Sequence, residues 1–387
     1  MNIAILIPEL GGGGAEKVAS NLCDYFYNKG HQVYIFLGEY HVIPKYKVKG
    51  KMVKTGIRPI FDGSYRELNH LLHAVSIMKK YKQKYKIDVS ISFMEEFNYI
   101  NILSKTTDKV VIRICTIFSK RNDIYKPSLF LNKHVMKMIY NRADRIIVMT
   151  EYAKRELQQY YGIRKKLISK IPNPVCICKE NNNNSDDWEF GKNVVISVGR
   201  LQDIKQYNVA LRAISLVKKH VDDVQYIILG EGKNRGKILQ LAKKLGIEDS
   251  VHLLGFKNDT TYYLRNSKIF MMTSKVEGFP NSMIEAMEVG IPVISINSYG
   301  APSEILNESS GIISDIVYGK YGIITPLIEN DEWNTRINEE EKKLTEAIMA
   351  IFSDYSLYSF YRTSAQEKAK QYSYQKVMSL WDTEISK

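Results

Sequence analysis

The sequence predicts an α/β protein of two Rossmann-like domains, each built on a parallel sheet. Three observations predict it. At 387 residues the chain exceeds what one hydrophobic core usually holds. Its two halves open with the same strand, turn, helix, strand plan. Short β-branched runs alternate with longer amphipathic segments throughout, as parallel βαβ units require.

Residues 2–37 run strand ("NIAILIP"), glycine turn ("ELGGGGAE"), helix to about Asn28, Gly30 and strand ("HQVYIFL"). Further strands of this half are expected in "DVSISF" (88–93), "KVVIRI" (109–114) and "RIIVM" (145–149). Residues 193–229 repeat the plan: "NVVISVG", the turn "RLQDIKQ", a helix through about His220, then "VQYIIL". "VHLLGF" (251–256) adds a strand. The Asn-rich run "KENNNNSDDWEFGK" (179–192) reads as a hinge. The domains are therefore expected at 1–175 and 193–365, with a linker at 176–192. From about Asn338 the periodicity is helical.

The most informative unit is residues 268–296. "KIFMMTS" and "IPVISI" are strand-like and flank a helix that Asn281 or Ser282 can cap. Gly290 sits where a left-handed C-terminal residue belongs, and Pro292 prevents continuation. At the carboxyl edge of a parallel sheet, the amides of Asn281, Ser282 and Met283 would be unpaired and, with the helix dipole, would favour an anion such as phosphate. Glu285 has two readings: a ligand for hydroxyls near that anion, or a capping box with Ser282. Glu277, beside the turn Gly278–Phe279–Pro280, has no helix of its own to cap, and a sugar hydroxyl explains it better.

Arg200 follows the strand ending at Gly199, and Lys205 follows five residues later. Two cations at the carboxyl edge of the same domain form a diphosphate clamp or are ordinary surface charge. "GGGGAE" (11–16) matches a dinucleotide fingerprint poorly, since Glu16 stands where a third glycine is needed. Gly13 and Gly14 still permit close approach of backbone to a phosphate or sugar, or form a plain turn.

The net charge of +13 is uneven: residues 1–172 carry +16 and residues 173–387 carry −3. Much of the excess lies in "KYKVKGKMVK" (45–54) and "KKYKQKYK" (79–86). No nucleic-acid recognition motif surrounds these tracts, and no nucleic-acid partner is expected. They fit an anionic membrane surface or a solvated lysine-rich face. No segment reaches the ~20 apolar residues of a membrane span, and the amino terminus lacks a signal-peptide pattern. A cytoplasmic protein, peripheral on the inner face of the cell membrane, is expected. Cys23, Cys115, Cys176 and Cys178 lack metal-knuckle spacing and are expected to be reduced.

"VISVGRLQDIKQ", "ILGEG", "VHLLGF" and "SKVEGFPNSMIEAMEVGIPVIS" together resemble the carboxyl-terminal domain of family-4 retaining glycosyltransferases of the GT-B fold. "IPELGGGGAEKVASNL", "NRADRIIVMTEYAKREL" and "KKLISKIPNPV" resemble the first domain and its crossing into the second. "QYSYQKVMSLWDTEI", within 366–387, resembles the family's final helix, which folds back on the first domain. The resemblance runs nearly end to end, and it implies that the two parallel sheets face each other across a cleft.

It implies that Arg200 and Lys205 bind the diphosphate of a nucleotide-sugar donor and stabilise the leaving group. It implies Glu277 on the transferred sugar, Glu285 on the ribose, and the backbone of Gly255 and Phe256 at the base. The implied activity is transfer of a hexose or N-acetylhexosamine from a UDP-sugar to a lipid-linked or growing cell-surface glycan, as in capsule or lipopolysaccharide synthesis. Configuration at the anomeric carbon is expected to be retained. No cofactor or metal is expected, because no Asp-x-Asp pair occurs and cationic side chains replace the ion. Many members carry a histidine just after the strand that here opens "KVVIRICTIFSK", where this chain shows Arg113, Cys115 and Thr116. That departure keeps a second reading open, a nucleotide-sugar-binding accessory subunit. An epimerase or an NAD-dependent oxidoreductase would be further alternatives.

Overall fold

The computed structural model describes residues 1–11, 13–39, 44–58, 67–120, 132–175, 190–309, 311, 313–329 and 332–386. The chain forms two compact units: Met1–Pro174 with Gln375–Lys387, and Val175–Tyr374.

The first unit contains β1 (Asn2–Ile7), α1 (Gly14–Asn28), β2 (Gln32–Leu37), β3 (Lys51–Lys54), α2 (Glu67–Lys84), β4 (Val89–Phe93), α3 (Glu95–Leu103), β5 (Lys109–Arg113), α4 (Lys133–Tyr140), β6 (Arg145–Val148), α5 (Glu151–Arg155) and β7 (Ile168–Lys170). Its sheet is parallel, in the order β3-β2-β1-β4-β5-β6-β7. Ile3 to Ile7 are wholly buried, which is why β1 reads as a continuous apolar run rather than an alternating one. Part of the first basic tract becomes the edge strand β3, where lysines discourage pairing with another chain. The second tract meets it: Lys51 and Lys84 lie 5.1 and 5.6 Å from the centroid of the Tyr85 ring.

The second unit contains β8 (Asn193–Val198), α6 (Tyr207–Val217), β9 (Val224–Leu229), α7 (Arg235–Lys244), β10 (Val251–Gly255), α8 (Thr261–Arg265), β11 (Ile269–Met272), β12 (Val276–Glu277), α9 (Asn281–Val289), β13 (Val293–Ile296), β14 (Tyr299–Gly300), α10 (Pro302–Asn307), β15 (Val317–Tyr318), β16 (Ile323–Thr325), α11 (Glu339–Ser353) and α12 (Tyr355–Ala369). Its sheet runs β10-β9-β8-β11-β13-β16-β15, parallel except for β15 against β16. β12 and β14 form a separate two-stranded ribbon.

α13 (Tyr374–Ser386) then rejoins the first unit, burying Val377, Met378 and Trp381. The return comes later than residue 366 because α12 runs unbroken to Ala369, with Gln366 against Gly290. Residues 176–189 of the expected hinge, with Cys176 and Cys178, lie outside the described residues, as does Gly12. Among the described residues no helix is long and apolar enough to cross a membrane.

Candidate functional site

At the carboxyl ends of β8, β9 and β10 three glycine-containing segments are woven together. Gly230 has φ 144°, and a Cβ there would stand 2.0 Å from the Gly199 carbonyl oxygen. Its amide donates to Gly255 O at 2.8 Å, while Leu201 N donates to Glu231 O at 2.9 Å. Only glycine permits this approach, and the weave fixes the backbone that carries Arg200. Arg200 is exposed and makes no side-chain hydrogen bond or ion pair among the described residues.

Lys205 ends a 3-10 turn, Asp203–Lys205, and the next residue, Gln206, is buried in the left-handed region at φ 47°. That conformation costs a non-glycine residue about 1 kcal/mol or more. The surroundings hold it: Thr273 Oγ1 donates to Lys205 O at 3.0 Å and to Gln206 O at 3.1 Å, and Lys275 N donates to Ile204 O at 2.9 Å. The loop is thus stitched to the end of β11, and Lys205 Nζ reaches Glu277 Oε1 in an ion pair.

Glu277 is positioned by the β12–β14 ribbon. It registers with Gly300, its carbonyl accepts from Ala301 N at 3.3 Å, and its side chain is largely buried. The segment Ser298–Ala301, which sequence reasoning missed, is therefore part of the site. The available signal was Gly300-Ala301-Pro302, a turn leading to proline at a helix start.

α9 departs from expectation at its start. Its N-cap is Pro280, without a side-chain cap. Ser282 Oγ donates instead to Val198 O at 3.2 Å, tying the helix to β8, so the Ser282–Glu285 capping box does not form. Of the three amides expected to be free, Asn281 N donates to Phe279 O at 3.1 Å and Met283 N to Pro280 O at 3.0 Å. Carbonyls of the Gly-Phe-Pro turn tighten the first turn, leaving the Ser282 amide without such a bond. Gly290 closes α9 at φ 79°, in the left-handed conformation expected of it. Glu285 lies one turn into the helix; burial, then the Glu285 charge, raises the Glu288 carboxyl above its usual range. Phe279 packs edge-on against Tyr372 at 5.6 Å, Pro280 and Met283 are buried, and Phe256 is 60% exposed just beyond Gly255.

The structure thus gathers Arg200, Lys205, Gly255, Phe256, Glu277 and the α9 start on one unit. Gly13 and Gly14 lie in the other. The space a Gly13 Cβ would fill holds the Glu16 carboxylate, 2.2 Å away, so the glycine makes room for its own helix's acid. Arg113 is buried: Nη2 donates to Asn173 Oδ1 at 2.5 Å, and the guanidinium lies over Phe93 and Trp381 at 6.0 and 5.4 Å. Burial pushes the Cys115 thiol up to about 11. Among the described residues no three His, Cys, Asp or Glu side chains are grouped to hold a metal ion.

Two family models match, Glycosyltransferase Family 4 over residues 12–177 and Glycosyl transferases group 1 over residues 179–318. An uncharacterized glycosyltransferase of Methanocaldococcus jannaschii is 29% identical over 81% of this chain and 84% of its own length. The N-acetylgalactosamine-N,N'-diacetylbacillosaminyl-diphospho-undecaprenol 4-alpha-N-acetylgalactosaminyltransferase of Campylobacter jejuni is 24% identical over 96% and 95%. Among solved structures, Anabaena HepE in complex with UDP-glucose superposes with a TM-score of 0.74 at 19% identity, covering 100% of this chain and 99% of that one.

Proposed function

Because this chain belongs to the family-4 glycosyltransferases of the GT-B fold and is a glycosyltransferase of glycan or polysaccharide biosynthesis, we propose that it transfers a hexose or N-acetylhexosamine, with retention, from a UDP-sugar to a lipid-linked or growing cell-surface glycan. The observation that carries the reading is the Lys205–Glu277 pair beside an exposed Arg200 at the carboxyl edge of the second sheet. Cleaving the bond from anomeric carbon to phosphate builds negative charge on the departing diphosphate and positive charge on the sugar. Preorganised cations lower that barrier. Arg200, Lys205 and the Ser282 amide serve the diphosphate. Glu277 holds Lys205 in place and accepts from sugar hydroxyls, and Glu285 takes the ribose. With the negative charge met by side chains, catalysis is metal-independent, and EDTA leaves the rate unchanged.

The diphospho-undecaprenol glycan for which the C. jejuni relative is named supports a lipid-linked acceptor. The lysines converging on Tyr85 support attachment to an anionic surface. Vesicle flotation with and without anionic lipid tests that part, and indifference to lipid charge refutes it. For the reaction, UDP- and GDP-sugars are screened for hydrolysis and thermal stabilisation. A donor present at about 100 times its Kd adds about 2.7 kcal/mol of stability. If none is consumed and none raises the unfolding temperature, the reading fails.

A further inference from the structure

After β5 the chain enters a loop, Ile114 to Lys120, at the carboxyl edge of the first sheet, where open α/β sheets place their ligands. Cys115 is half-buried, Thr116 is 9% exposed, and Phe118–Lys120 form a 3-10 turn. The amides opening that turn point at one carboxylate. Glu156 accepts from Phe118 N at 3.1 Å and from Ser119 N at 2.7 Å. Glu156 is buried, and among the described residues no cation pairs with it.

The position of Glu156 depends on an irregularity. α5, capped by Thr150 Oγ1 accepting from Ala153 N at 3.1 Å, stops at Arg155, and Glu156–Tyr160 continue as a π-helical turn. Tyr161 N then bonds Glu156 O at 3.3 Å, and the Tyr161 ring packs edge-on against Phe118 at 5.6 Å. A π turn is a poorer helix than the α turn it replaces and persists mostly where a function uses the displaced side chain. Here it belongs to a residue that grips the loop by main-chain amides alone. Consecutive amides turned toward one point make an anion nest.

We propose that Glu156 is a positioning residue for glycosyl transfer: its carboxylate fills this nest from inside the fold and fixes Cys115 and Thr116 at the edge of the sheet. Two consequences follow. With a carboxylate already in the nest, the loop repels a ligand phosphate, leaving the diphosphate to Arg200 and Lys205 in the other unit. The group doing the gripping is an anion that a small free carboxylate can replace. The catalytic half of the inference rests on the function proposed above; the clamp does not.

The test uses the full chain with Cys23, Cys176 and Cys178 replaced, so that Cys115 is the one thiol. Glu156→Gln and Glu156→Ala are compared with the parent by Cys115 labelling with a dithiobis-nitrobenzoate reagent, and by UDP-sugar hydrolysis. Glu156→Gln, which keeps the side-chain volume, guards against misfolding. Both variants are expected to label about tenfold faster through local opening. Their kcat should fall about 10- to 100-fold, with KM for the UDP-sugar changed less than about threefold, as loss of positioning predicts. Added formate should reverse both effects in Glu156→Ala and neither in Glu156→Gln, where the amide still occupies the site. Unchanged labelling overturns the clamp, and faster labelling with unchanged kcat overturns the positioning role. A parent protein that hydrolyses no nucleotide sugar overturns the proposed function and the catalytic half with it, while labelling and formate rescue still decide the clamp.

Discussion

Replacing Lys205 by alanine separates stability from catalysis. Lys205 and Glu277 side chains are 23% and 11% exposed, so their attraction lies between the surface and interior limits. At an effective dielectric of about 20, two charges about 4 Å apart attract by about 4 kcal/mol, most of it offset by desolvation and side-chain ordering. A net contribution of about 1 kcal/mol remains, equivalent to a drop of about 2–4 °C in unfolding temperature for a domain of this size. The catalytic cost is larger. Removing one preorganised group from a developing charge costs about 10²–10³ in rate, or about 2.7–4 kcal/mol. The assay is UDP release from the donor found by screening, at saturating concentration, beside calorimetric melting. The signature is a small thermal shift with a rate loss at least tenfold larger than that shift explains. Glu277→Gln should cost less when Lys205 is already alanine, with a coupling of about 0.5–3 kcal/mol because the two groups touch. A Lys205→Ala enzyme within about threefold of the parent rate would refute the leaving-group role.

Two further outcomes follow from the same geometry. Gly230→Ala places a Cβ against the Gly199 carbonyl; it should displace the Arg200 backbone and reduce donor-induced thermal stabilisation, and urea titration should show a loss above about 2 kcal/mol. The buried pair Lys82–Asp108, at 2.8 Å with both side chains fully buried, sets an acid limit. Burial alone would raise the Asp108 carboxyl, but the Lys82 charge and hydrogen bonds from Lys82, Ser90 and Thr106 outweigh it and hold it below 3.8. Its contribution is therefore present above about pH 4 and lost as pH falls through the lowered folded value. In Lys82→Met the sign reverses. Asp108 then sits raised, stability falls by about 3–5 kcal/mol near neutrality, and part of it returns on acidification. Urea midpoints measured from pH 7 to pH 2 check both slopes.

Which features the sequence disclosed follows from how local their causes are. β1, buried on both faces, announces itself as an unbroken apolar run, and β8 as one interrupted only by Ser197. The β11-α9-β13 unit is bounded by Gly290 and Pro292, each acting within a residue or two. Arg200, Lys205 and Glu277 follow from strand ends for the same reason. The start of α9 departs from its local pattern because its partners are not local: the Ser282 hydroxyl is taken by Val198, 84 residues away, and the Asn281 and Met283 amides by carbonyls of a turn whose shape no periodicity encodes. β12 and β14 are two residues long, too short for any alternation, and only their register brings Gly300 to Glu277. The Glu156 clamp depends on a π turn, which sequence pattern does not distinguish from an α turn.

Arg113 tests how far position in sequence can be read as role. It stands in the stretch where the resemblance expects a ligand-contacting histidine, yet it is 1% exposed and bound to Asn173, where the first unit's chain leaves. Its face lies on Trp381 of the returning α13. It therefore joins the outgoing and returning segments of one unit. If volume and the cost of a buried charge are what matter, Arg113→Met should be the milder substitution. It keeps the bulk, forfeits the Asn173 bond for about 1–3 kcal/mol, and relieves a buried charge that no carboxylate balances among the described residues. Arg113→Lys keeps that charge but loses the planar stack and should destabilise more. Trp381 fluorescence during urea unfolding, with Trp188 and Trp333 replaced by phenylalanine, reports the unit concerned. The lysine variant proving the more stable, or a stably folded methionine variant losing all donor hydrolysis, would return Arg113 to the reacting centre and refute the role assigned to it.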